Sequence, residues 1–93
     1  MPGGCPNCKR ALEGLLQEVR KMKTNKSIAS TVAMKMEREL QAAITAAKKE
    51  NQDLQLILGK LNGAKAMIAG DTSVSDLNAA ITDTIALVKR HLP

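Results

Sequence analysis

The sequence predicts an all-α protein, and three observations carry the prediction. Apolar residues recur at three- and four-residue steps along most of the chain, no run alternates long enough to make a strand, and turn-forming residues fall between the periodic stretches. Ninety-three residues suit one domain and are too few for two, so residues 1–93 are read as a single helical domain. The expected architecture is three antiparallel helices with one long central helix, a coiled-coil-like bundle assembled as an oligomer. It becomes four helices if the long one divides.

Residues 1–5, Met-Pro-Gly-Gly-Cys, read as a flexible N-terminus. A first helix over about 6–23 follows, with Leu12, Leu15, Leu16, Val19 and Met22 on one face and Pro6 suited to the first helical position. Gly14 weakens it unless another backbone comes close. Thr24-Asn25-Lys26-Ser27 marks the break, with Asn25 or Ser27 as the cap of the next helix.

The second segment, about 27–69, is the longest. From Leu40 its spacing alternates four and three through Ile44, Ala47, Leu54, Leu58, Leu61 and Ile68, which is a heptad-like seam carrying the polar Asn51 and Lys65. Lys48-Lys49-Glu50-Asn51-Gln52-Asp53 is wholly polar, and either a single rod or two helices divided near Asn51 is consistent with it. One rod is preferred, because those six residues hold no Gly or Pro and the heptad phase passes through them. Ala42, Ala43, Ala46 and Ala47, and later Gly59 and Gly63, offer close helix approach. Gly70 stands where a left-handed helix stop is expected. Ser73 with Asp76 then resembles a capping box opening a last helix over about 73–92, whose buried face is Val74, Leu77, Ile81, Ile85, Val88 and Leu92.

Composition narrows the function. There is no Phe, Trp or Tyr, hence no stacking platform for single-stranded bases and no large core anchor. A rod of ~40 residues spans ~60 Å, more than two short helices cover, so its remaining apolar stripe predicts packing against another chain. The seam Leu40, Ile44, Ala47, Leu54, Leu58, Leu61 and Ile68 is the expected oligomer contact, in a homo-oligomer or with a protein partner. No apolar run reaches bilayer length and no secretory run opens the sequence, so no membrane association and a cytoplasmic location are expected. No phosphate loop, Ser/His/Asp set or apolar carboxylate pair is present, so enzyme activity is not expected.

The net charge of +5 is weighted to the N-terminal part, where residues 1–26 carry six Lys/Arg against two Glu. Lys9, Arg10, Arg20, Lys21, Lys23 and Lys26 form a candidate nucleic-acid surface, since Lys9 and Arg20 return to one side of a helix. A solvated outer face accounts for them equally well. His91, beside Arg90, reads as a residue of a last helical turn rather than a ligand, and Met22, Met34, Met36 and Met67 as core filling.

Cys5-Pro6-Asn7-Cys8 is the one chemically specific motif. CxxC spacing suits two thiolates on one tetrahedral zinc, with Pro6 stiffening the turn. A closed zinc site needs four ligands, so Cys5 and Cys8 make half a site, completed by the same pair of a second chain across a twofold axis. In these four residues the chain is similar to the zinc-hook coiled coils of DNA double-strand-break repair ATPases, where two CPxC turns share one zinc; there the turn lies between two long arms. The same letters resemble the CPxC motif of glutaredoxin-like proteins, which implies Cys5 at a helix N-terminus as a stabilised thiolate, with Lys9 and Arg10 assisting. Those proteins use a βαβ scaffold, and no strand is predicted here. Inert thiols are the remaining alternative. The sequence thus predicts a non-catalytic oligomerisation or adaptor protein clamped by zinc, with a basic nucleic-acid-binding regulator and a thiol–disulfide protein as alternatives.

Overall fold

Four helices and one short turn of 3-10 helix make up residues 5–92, the part of the chain that the computed structural model describes: α1 (Cys8–Thr24), α2 (Ser30–Lys48), α3 (Leu54–Met67), the 3-10 turn (Thr72–Val74) and α4 (Ser75–Arg90). No strand occurs among the described residues. Met1–Gly4 of the expected flexible terminus, and Pro93, lie outside them.

Each helix packs on its neighbours in sequence and α4 closes back on α1, while the diagonal pairs α1/α3 and α2/α4 stay apart. Lys23 near the end of α1 meets Glu37 in the first half of α2, and Gln52 just beyond α2 meets Cys5 just before α1, so these two helices run antiparallel; Glu39 of α2 meets Lys60 of α3. The core is entirely aliphatic and sulfur-containing. Leu12 and Val19 from α1, Met36 and Leu40 from α2, Ile57 and Leu61 from α3, and Leu77, Ile81 and Val88 from α4 are fully buried in it. Ala33, Ala43, Ala46, Ala47 and Ala64 fill the gaps, and their small size lets the backbones come close enough to close a core without aromatic rings. The radius of gyration, 12.7 Å, is near the ~12 Å of a compact chain of this length.

The single rod over 27–69 is not formed. The helix stops at Lys48, Lys49 turns extended at ψ 148°, and Asp53 restarts the chain by accepting the Leu56 N–H at 3.0 Å. The reason lies in burial. Residues 48–53 carry no apolar side chain, so a reversal there loses no hydrophobic contact and lets the apolar stripe of α2 fold against that of α3. Heptad spacing running through those residues gave no warning, because the spacing within each helix survives a turn between them.

With the reversal, the expected intermolecular seam becomes interior. Leu40, Ile44, Ala47, Leu54, Leu61 and Ile68 are each no more than 7 % exposed within one chain, and Leu58 is half-buried. Among the described residues this seam therefore leaves no continuous apolar stripe exposed, and the large apolar side chains that do face outward are Met34 and Leu56. Nor is close approach used at every small residue: a Cβ added at Gly14 or Gly59 would meet nothing within 4 Å, whereas at Gly63 it would lie 3.4 Å from Glu39 Oε2.

Three boundaries also differ from expectation. Helix α1 begins at Cys8 rather than Pro6, after Asn7. Neither Asn25 nor Ser27 caps α2, whose N-cap is Ala29; both instead finish α1. Lys26 takes the left-handed conformation, φ 61°, donating its N–H to Lys23 O at 3.1 Å while Ser27 N–H reaches Met22 O at 2.9 Å. That is a Schellman stop with lysine in the usual glycine position. At the other turn Gly70, φ 86°, is the left-handed residue, as the sequence suggests. The expected Ser73 cap of the last helix is not made: Val74 is the N-cap of α4 without a side-chain bond, and Asp71 caps the preceding 3-10 turn, its carboxylate accepting both the Ser73 N–H at 3.0 Å and the Ser73 hydroxyl at 2.6 Å.

Candidate functional site

Two places on this bundle concentrate side chains that carry chemistry: the end where the cysteines lie, and the outer face between α1 and α2.

At the first, Cys5 and Cys8 are joined in a disulfide. Neither is exposed, at 1 % and 0 %, so Cys5 belongs to the core rather than to a loose terminus. Its backbone is held from the turn between α2 and α3. Gln52 Oε1 accepts the Cys5 N–H at 2.5 Å, and Gln52 Nε2 donates to Cys5 O at 3.4 Å and to Ala47 O at 2.6 Å. One amide thus joins the entry to α1, the end of α2 and the turn into α3. The polar stretch puts Gln52 there because the chain reverses at that point.

In this oxidised form the pair offers no thiolate to a zinc ion shared between chains. Thiolates reachable from outside are required, and here the sulfurs are bonded to each other and enclosed. No group of three or more metal-ligating side chains occurs among the described residues. The geometry implied by the glutaredoxin-like resemblance is also altered, since Cys8 and not Cys5 is the first helical residue.

On the outer face, α1 contributes Glu13, Leu16, Gln17 and Arg20 and α2 contributes Gln41, Ile44, Thr45 and Lys48 to a groove of about 540 Å³. Leu16 and Ile44 are each 7 % exposed and so give the groove a thin apolar strip beneath a polar rim. The six expected nucleic-acid residues are not gathered in one patch. Lys9 and Arg10 are exposed at the cysteine end of α1, and Arg20, Lys21 and Lys26 are exposed at or beyond its far end, with eleven residues, about 16 Å of helix, between Lys9 and Arg20. Lys23 is engaged with Glu37, 3.3 Å away. Glu37 Oε1 is buried without a hydrogen bond, so this lysine supplies its compensating charge. Of these residues only Arg20 lines the groove.

The carboxyl of Asp71 is displaced by its neighbours. The Ser73 hydroxyl, and then the Ser73 N–H, hold it below the usual carboxylate range by bonding to its charged form. Its role is local, fixing the turn into α4. His91 caps α4 through its backbone N–H, which donates to Val88 O at 3.0 Å. Of the four internal methionines only Met36 is fully buried; Met22 and Met67 are half-buried and Met34 is 51 % exposed.

The site residues that sequence reasoning missed are Gln52 and the groove residues Glu13, Gln17, Gln41, Thr45 and Lys48, while Ile44 was expected in the seam. Asp53 had a readable signal, an acidic cap one residue before a periodic apolar run. Gln52 had none, because the Cys5 backbone it holds lies 47 residues away. No family model matches the chain, and neither a curated protein nor a solved structure does. None of its helices is long and apolar enough, among the described residues, to cross a membrane.

Proposed function

We propose that the chain is a non-catalytic helical interaction module that receives an acidic amphipathic helix of a protein partner in the groove between α1 and α2. The observation that carries this reading is the groove itself: an apolar strip of Leu16 and Ile44, with Arg20 and Lys48 on the rim and a single acid, Glu13. An amphipathic helix places apolar residues at i, i+3, i+4 and i+7 along such a strip and acidic residues beside the cations. The wider field favours the same partner, since residues 1–50 hold ten Lys and Arg against five Glu. The proposal keeps the adaptor role expected from the sequence and moves the contact to the outer face, where Ile44 is the one seam residue that lines the groove.

Nucleic acid is the competing occupant. A phosphate backbone gains nothing from Leu16 and Ile44, and the basic side chains are divided between the two ends of α1. Fluorescence anisotropy decides between them, using an 18-residue helical peptide with one leucine and one glutamate face, and a 20-base-pair DNA duplex. The peptide should bind, and Arg20→Glu with Lys48→Glu should abolish binding while Lys89→Glu with Arg90→Glu on α4 leaves it within twofold. Binding of the duplex alone, with affinity falling steeply as salt rises, would replace this reading with the nucleic-acid one. No binding of either would end both.

A further inference from the structure

We propose that Cys5–Cys8 is a thiol–disulfide latch on one end of the bundle, and that Gln52 is the positioning residue that holds it shut. The disulfide closes only a four-residue loop, so it does little to restrain the unfolded chain, and ordinary stabilisation does not explain it. Its location supplies a better reason. Residues 5–7 belong to no helix, Pro6 has no N–H to donate, and α1 starts at Cys8 without a side-chain cap. What ties this segment down is the disulfide, the Cys8 N–H to Cys5 O bond at 3.3 Å, the Ala11 N–H to Asn7 O bond at 3.0 Å and the Gln52 amide. Through Ala47 O the same amide fastens the end of α2.

The chemistry is a thiol–disulfide exchange with a dithiol as the reductant. A dithiol thiolate attacks the Cys5 sulfur, the S–S bond breaks, and Cys8 leaves as a thiolate that takes up a proton. The second thiol of the reductant then loses its proton and displaces the Cys5 sulfur, which leaves both cysteines as thiols and the reductant as its cyclic disulfide. Two electrons pass from the dithiol to the protein. Cys8 is the better leaving group because it begins α1, where the helix dipole favours a thiolate. Both sulfurs are enclosed, so attack waits for residues 5–7 to swing away from Gln52. Reduction then leaves the entry to α1 without its covalent tie, and the end of α2 and the turn into α3 lose their anchor. The opposite end, at the α1–α2 turn, has no part in this.

The test uses the whole chain, oxidised with diamide and then exposed to dithiothreitol, with maleimide trapping and intact mass counting free thiols over time. Native protein should gain its two labels many times more slowly than the same protein in urea. Gln52→Leu should speed native reduction about tenfold, by loss of the amide's hydrogen bonds, with unchanged helicity by circular dichroism. Gln52→Glu, which keeps an acceptor for Cys5 but no donor for Ala47, should fall between. Hydrogen exchange on the reduced protein should rise at residues 5–12 and 49–54 and stay level at 22–33. Equal reduction rates in native and unfolded protein would overturn the proposal. So would Gln52 variants that reduce at the rate of the parent, exchange that rises equally at both ends, or failure of diamide to form the bond.

Discussion

The α1–α2 hairpin and the α3–α4 hairpin contribute alike to the core and differ in what they show to water. Residues 1–50 carry ten Lys and Arg against five acids, all Glu, whereas residues 51–93 carry four against four acids, all Asp. Glutamate suits helix interiors and aspartate suits caps, and two of the aspartates, Asp53 and Asp71, do cap. The exposed positions of α3 are uncharged by contrast: Gln55, Leu56, Gly59, Asn62 and Ala66. Even the helix stops differ: the basic hairpin uses Lys26 for the left-handed position and the neutral one uses Gly70. The apolar pattern that sets the fold is common to both halves, so the difference lies in the free choice of surface residues.

The largest effect tests whether both hairpins share one core within one chain. Leu40→Ala from α2 and Leu61→Ala from α3 each empty a fully buried position and should cost about 2–5 kcal/mol in urea unfolding. For the parent protein the unfolding midpoint should not move over a hundredfold range of protein concentration, since the seam is satisfied internally. A midpoint that climbs with concentration would return those leucines to an intermolecular contact. Exchanging the two helix stops gives a smaller, opposed pair of effects. Lys26→Gly relieves a left-handed lysine and should stabilise by roughly 0.5–1 kcal/mol, after the added freedom of glycine in the unfolded chain is set against it. Gly70→Ala should destabilise by about 1 kcal/mol, because a Cβ at φ 86° is strained even with nothing within 4 Å. Equal signs from the two substitutions would break the comparison.

These two turns also mark how far the sequence could be read. Periodicity identified the helical faces, and Leu12, Met36, Leu40, Leu61, Leu77 and Val88 occupy the interior as their spacing predicts. Gly70 was legible because glycine is common where φ is positive; Lys26 was not, since nothing about a lysine signals that conformation. The reversal at 48–53 was visible as a polar stretch but not as a turn. Whether a helix crosses such a stretch depends on what its stripe can bury against, and that is settled by tertiary contact rather than local propensity. For the same reason the cysteine pair was readable as a motif, while its enclosure and its clasp by Gln52 were not.

The smallest effect separates the two turns by acid. Asp71 is held charged by Ser73, so its carboxyl titrates below the usual range in the folded state. The stabilisation this gives is present above the unfolded value, ~3.9, and is lost as pH falls through the lower folded value. In the α1–α2 turn the corresponding amide, Ser27 N–H, donates to the backbone oxygen of Met22, which does not titrate. Amide chemical shifts followed from pH 6 to pH 2 should therefore move for Ser73, with a midpoint below that of an ordinary aspartate, and stay level for Ser27. In Asp71→Ala the Ser73 shift should lose this response, and the stability gap between variant and parent should close on the acid side of the midpoint. A Ser73 midpoint at or above the ordinary value would mean that its hydrogen bonds do not favour the charged carboxylate, and the α3–α4 turn would then depend on Gly70 alone.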